Sequence, residues 1–143
     1  MRICYRLGML VTRTFAAVSV LVAVAACASA PSPQRASEER SKLRSAMQVQ
    51  VDTRERRDEQ SRLLAKSVEE AGLEGLDRPS VRAAFGPGKA CDIEVCRKNG
   101  FLDSDWYYEI GVLENEQLKQ LPLLLLSFDP HERVKRVFTF TTH

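Results

Sequence analysis

Three apolar-rich runs crowd the last third of the chain, and their spacing restricts the fold more than any other feature. Trp106, Tyr108, Ile110 and Val112 alternate with Tyr107, Glu109 and Gly111, the period-2 pattern of a strand with two unlike faces. Leu121 to Phe128 reads as a second strand, with Pro122 acceptable only near its start because it has no N–H to give to a ladder. After the turn Asp129-Pro130-His131-Glu132, Val134 to Thr141 reads as a third, rich in Val, Phe and Thr. The connections are too short for helical crossovers, so the three strands form an antiparallel meander.

Upstream the period changes to that of helices. Leu63, Leu64, Ser67, Val68 and Ala71 share one helical face, and Gly72 stops the run. Leu73, Gly75 and Leu76 connect to Asp77, a good N-cap, with Pro79 tolerated in the first turn that follows. Val81, Ala84 and Phe85 line a second short helix that ends at Gly86-Pro87-Gly88. Residues 89–104 read as a loop. The order helix, helix, strand, strand, strand predicts a two-layer α+β domain over 61–143, two short helices on a three-stranded antiparallel sheet (ααβββ).

The N-terminus is of another kind. Arg2, Arg6 and Arg13 make a basic segment, and Phe15 to Ala26 is uncharged with Ser19 its one polar residue. That run of about 12 residues suits the apolar core of an export signal and is shorter than the ~20 that span a bilayer. Val24-Ala25-Ala26-Cys27 follows, small residues and then a thiol, and resembles the lipobox of bacterial lipoproteins. The resemblance implies a signal peptide over 1–26 and a lipid on Cys27. Ordinary cleavage after Ala28-Ser29-Ala30 and an uncleaved anchor are the competing readings. Ala28 stands where an Asp would retain an enteric lipoprotein at the inner membrane, so the resemblance favours the outer membrane, facing the periplasm.

Residues 27–37, rich in Ala, Ser and Pro, read as a lipid-anchored flexible tether. Residues 38–60 read as a charged spacer, helical or disordered. Leu43, Met47 and Val51 make only a weak stripe there, and the heptads of a coiled coil are absent.

Charge must be counted without the leader. Arg2, Arg6 and Arg13 leave with it, so Lys+Arg falls from 21 to 18 against 19 Asp+Glu, a net charge of about −1. A concentrated basic face for nucleic acid is not evident. Four cysteines occur. Cys4 lies in the leader and Cys27 at the lipobox, which leaves Cys91 and Cys96 in an oxidising compartment. A loop-closing disulfide is the first reading of this C-x4-C pair. A redox pair would favour C-x-x-C, and a metal site would have to recruit His131 or His143 without the usual ligand spacing.

Three pieces of the domain carry a family likeness. Gly75-Leu76-Asp77-Arg78-Pro79-Ser80-Val81-Arg82-Ala83-Ala84-Phe85-Gly86, then Asp105-Trp106-Tyr107-Tyr108, then Leu124-Leu125-Leu126-Ser127-Phe128-Asp129 with Val134, occur in order over about residues 73–140. They resemble the helix, first strand and hairpin of the BamE (SmpA/OmlA) family of small outer-membrane lipoproteins. The resemblance implies a helical layer on a three-stranded sheet and an accessory role in outer-membrane protein assembly. The chain departs from that pattern at Pro87, one residue after the helix-ending Gly86, and at Glu132-Arg133, where the family usually has a Gly. The architecture also resembles β-lactamase-inhibitor-like domains, and fold alone does not decide function.

Catalytic chemistry is hard to assemble from these residues. The two histidines sit at a turn and at the terminus. Asp103, Asp105 and Glu109 read as turn and strand residues, and no phosphate-binding glycine loop occurs. The expectation is a non-enzymatic protein with no cofactor, no metal, no evident small-molecule substrate and no nucleic-acid partner. Its partners would be the membrane, through the lipid on Cys27, and another envelope protein.

Where that protein would bind follows from strand parity. Leu124, Leu126 and Phe128 face the helices with Trp106, Tyr108 and Ile110. Tyr107, Leu123, Leu125 and Val137 face away as candidate partner-binding residues. Parity on the third strand is undecided, because Val134, Phe138 and Phe140 share a face with Arg136. Segment 38–62 could fold back over this outer face, or the face could dock a partner. The alternative function is a periplasmic inhibitor-like or sensory module acting through the 89–104 loop.

Overall fold

The computed structural model describes residues 31–115 and 117–141. The signal peptide expected over 1–26, the expected lipid site Cys27 and His143 therefore lie outside the described residues. The chain forms α1 (Pro33–Ala46), β1 (Gln50–Val51), α2 (Arg54–Glu70), α3 (Arg78–Phe85), β2 (Lys89–Ala90), α4 (Glu94–Lys98), β3 (Trp106–Glu109), β4 (Val112–Leu113), β5 (Leu123–Phe128) and β6 (Val134–Phe140). This is a mixed α+β fold.

The expected meander is present as β3, β5 and β6, paired antiparallel, and β2 adds a fourth strand beside β3 to give the order β2-β3-β5-β6. The first strand is shorter than its alternation suggests. It stops at Glu109, Gly111 turns the chain, and Val112–Leu113 pairs in parallel with β1 in a separate two-stranded sheet. Gly111 is required at this corner. Its φ is +126°, and a Cβ there would meet Val51 Cγ2 at 2.7 Å.

In the N-terminal half the charged segment 38–60 takes the helical of its two alternatives, as α1, β1 and the first turns of α2, and helix already begins at Pro33, inside the 27–37 stretch expected as a tether. Three helices, not two, cover the sheet. Ser32 Oγ accepts from Arg35 N, Thr53 Oγ1 from Arg56 N and Asp77 Oδ1 from Ser80 N, so each of the three begins on a side-chain cap. Leu43 and Ala46 of α1 with Met47 at its C-cap, Leu64 of α2 and Val81 and Phe85 of α3 then bury against Tyr108, Ile110, Leu124 and Leu126. The inward parity read for β3 and β5 is the parity observed. Tyr108 crosses this layer and donates its hydroxyl to Gly86 O at 3.0 Å, and burial pushes its pKa up to about 12.

Parity on β6 is resolved by an irregularity. Phe128 pairs with Val134 but Ser127 pairs with Arg136, so Lys135 is an extra residue in the ladder. The bulge keeps Val134 on the helix side and reverses the alternation after it. Val137 therefore packs with the inner core, while Phe138 and Phe140 reach the outer face.

Candidate functional site

The outer face of the sheet is built from the alternate residues of β3 and β5. Tyr107 pairs with Leu125, and Glu109 with Leu123. Phe138 sits opposite Leu125 and Phe140 opposite Leu123 on β6. Lys89 of β2 lies beside Tyr107 and bonds Glu109 Oε2 at 2.6 Å. That hydrogen bond is the main reason the Lys89 ammonium holds its proton above the ordinary lysine range.

Half of this face is covered by the cysteine segment. Cys91 and Cys96 stand at disulfide distance, with their Cα atoms 5.5 Å apart, and both are fully buried against Tyr107, Leu123 and Leu125. The buried Asp105 carboxylate fastens the segment to the sheet, accepting from Leu102 N at 2.8 Å and Phe128 N at 3.0 Å. Cys91 N donates to Asp105 O. Arg136 closes the other side. Its guanidinium lies 4.1 Å from the Phe101 ring and donates to Asn99 O at 2.9 Å. Phe101 is thus held between Arg136 and Phe138, whose ring centroid is 6.2 Å away.

This arrangement corrects the expected docking patch. Tyr107, Leu123 and Leu125 do share the outer face, but Tyr107 is only 9% exposed and the two leucines less. Val137 belongs to the opposite face. The cover over the patch is the segment 91–101, not 38–62, which lies in the helical layer.

The uncovered half is a groove of about 290 Å³. Tyr107 and Leu123 form its floor, Ile93 one wall, and Val112, Leu113 and Leu121 the other. Val112 is 45% exposed and Leu113 39%, two adjacent exposed aliphatic residues on β4. Glu109, Lys119 and Gln120 supply polar groups at the rim. Alternation alone misses Val112 and Leu113 as a groove wall because it runs Val112 on as part of one continuous strand. Gly111 was the available signal, since a glycine within an alternating run often marks a bend.

The remaining candidates are scattered. His131 is exposed in the β5–β6 turn. Asp105 is occupied by two backbone N–H groups and Glu109 by Lys89. Among the described residues no three His, Cys, Asp or Glu side chains group as a metal site, and no helix is long and apolar enough to cross a membrane. No protein-family model, curated protein or solved structure matches the chain.

Proposed function

We propose that this chain is a non-enzymatic lipoprotein, anchored in the outer membrane through Cys27, that holds another envelope protein in its outer-face groove and assists outer-membrane protein assembly. The observation that carries this reading is the pair of exposed aliphatic residues, Val112 and Leu113, set beside a floor of Tyr107 and Leu123. Adjacent apolar exposure beside a groove supports a protein contact, whereas scattered single residues would not. Acyl chains on Cys27 would keep the domain at the membrane surface, each buried CH2 contributing about 0.8 kcal/mol.

The test is site-specific photocrosslinking in envelopes. A crosslinker at Leu113 should capture an outer-membrane assembly component, and one at His131 should not. Equal capture at both positions, or none from the assembly machinery at Leu113, rejects the reading. Cys27→Ser should move the protein out of the membrane fraction; retention there would remove the lipid anchor from the proposal.

A second reading has its own observation. Leu102 is 68% exposed immediately after the cysteine segment, within the 89–104 loop braced by Cys91 and Cys96. An inhibitor-like or sensory module would present this leucine to a periplasmic enzyme or receptor. Leu102→Asp would then abolish partner binding while Leu113→Asp would not, the reverse of the groove reading.

A further inference from the structure

The helical layer, across the sheet from the groove, holds a crevice of about 310 Å³ between α1 and α3. Ser37, Arg40, Ser41 and Arg44 line one side, and Ala83 and Ala84 the other. The four α1 residues are spaced i, i+3, i+4 and i+7, so they form a single row along the helix. The facing alanines leave the row open. Every polar side chain in this lining can donate hydrogen bonds, and none is a carboxylate.

The two arginines differ from the other cations of α1. Arg35 is paired with Glu70 and Lys42 with Glu39. Among the described residues neither Arg40 nor Arg44 takes part in an ion pair. Both are nevertheless oriented by backbone carbonyls. Arg40 Nη1 donates to Ala71 O at 3.0 Å, and Arg44 Nη1 makes a longer contact of 3.5 Å with Ala83 O. One N–H of each guanidinium is used in this way, and the rest of each fork is free for a ligand.

From this geometry we infer that the α1–α3 crevice binds a phosphomonoester dianion. Two guanidinium forks match the planar, bidentate geometry that phosphate oxygens accept, and the Ser37 and Ser41 hydroxyls can donate to the oxygens that remain. Two uncompensated positive charges are neutralised by a dianion. A phosphodiester or a carboxylate carries one charge and would leave one arginine unmatched. The dianion can come from a soluble phosphomonoester or from the terminal phosphate of a membrane lipid. The inference uses α1, α3 and the C-terminal end of α2 that orients Arg40, and is independent of the groove.

Calorimetric titration of the detergent-solubilised full chain with glycerol phosphate is the test. Saturable binding is expected, at least fivefold tighter at pH 8 than at pH 5, because the ligand gains its second charge near pH ~6 while arginine stays protonated. Arg40→Gln with Arg44→Gln should weaken binding at least tenfold. Ser41→Asp keeps both arginines, adds a carboxylate to the row at an exposed helical position, and should weaken binding as much. Absence of saturable binding by the unaltered chain, or unchanged binding by Ser41→Asp, overturns the inference. Flotation of the Cys27→Ser chain on vesicles separates the sources. Retention on phosphatidylcholine vesicles containing phosphatidic acid but not on those containing phosphatidylglycerol assigns a lipid phosphomonoester. Glycerol phosphate binding without retention assigns a soluble one. Equal retention on both vesicles without glycerol phosphate binding shows surface charge alone and overturns the site.

Discussion

The two faces of the sheet are covered in different ways. Three capped helices lie over the inner face and bury one continuous apolar cluster that runs from Leu43 to Val134. The outer face is covered by residues 91–101, a segment whose own helix, α4, spans five residues. The helices hold by area, since each contributes several side chains to the common core. The short segment buries Cys91, Cys96 and Phe101 in a smaller cluster. It is held at points: the Cys91–Cys96 link, the Asp105 carboxylate and Arg136 on Phe101. A face held by area should lose stability in proportion to the volume removed, whereas a face held at points should fail locally when one point is cut.

The strongest challenge to this contrast is on the inner face. Leu126 is fully buried among helix residues, and Leu126→Ala should cost ~2–5 kcal/mol in denaturant unfolding, with one cooperative transition. Separate unfolding of the helices would show that the inner cover is not a single unit.

Cutting the cysteine link comes next. Cys91→Ser with Cys96→Ser should cost about 2 kcal/mol by loop entropy. Hydrogen exchange should rise at residues 91–101 and at the outer-face edge while α1 and α2 keep their protection. A uniform rise over both faces would erase the distinction. Arg136→Ala should cost about 1 kcal/mol, the scale of a cation–π contact, and loosen the Phe101 end of the segment alone.

The smallest effect is in the acid range. The Ser80 hydroxyl and N–H hold the Asp77 carboxyl below its usual range, and the Arg133 and His131 N–H groups do the same for Asp129. Both folded pKa values lie below the unfolded value of about 3.9, so their stabilisation is present above that pH and is lost as pH falls through the folded values. Glu94, paired with Lys98, is also lowered, but both side chains are 72% exposed and solvent screens the pair. Asp77→Ala should therefore flatten the acid limb of the stability profile, and Glu94→Gln should leave it nearly unchanged.

The same contrast explains what the amino-acid pattern made legible. Alternation on β3 and β5 identified the inner face correctly because Tyr108, Ile110, Leu124 and Leu126 obey period 2 without interruption. On β6 the extra residue Lys135 breaks that period, and plain alternation puts Val137 on the wrong side. The helix α1 was hidden because its buried residues are Ala36, Glu39, Leu43 and Ala46, small or polar apart from one leucine. The buried side of α2 is similar, with Gln60, Ser61 and Ser67 around Leu64. Helices that pack through small and polar residues leave little hydrophobic periodicity to read. The strands β2 and β4 have two residues each, too few for any pattern. The groove was half legible for the same reason: its floor obeys alternation, and its wall depends on the turn at Gly111.

That wall has a consequence for how the molecule matures. β4 forms it by pairing in parallel with β1, so Gln50 meets Val112 and Val51 meets Leu113 across more than half the described chain. Closing contacts so distant in sequence carries a larger entropic cost than closing a local helix or hairpin. The groove wall therefore exists only when two distant parts of the chain have come together. An occupant that recognises it binds the finished domain in preference to the unfolded chain, so by mass action its binding would raise the melting temperature of the whole domain.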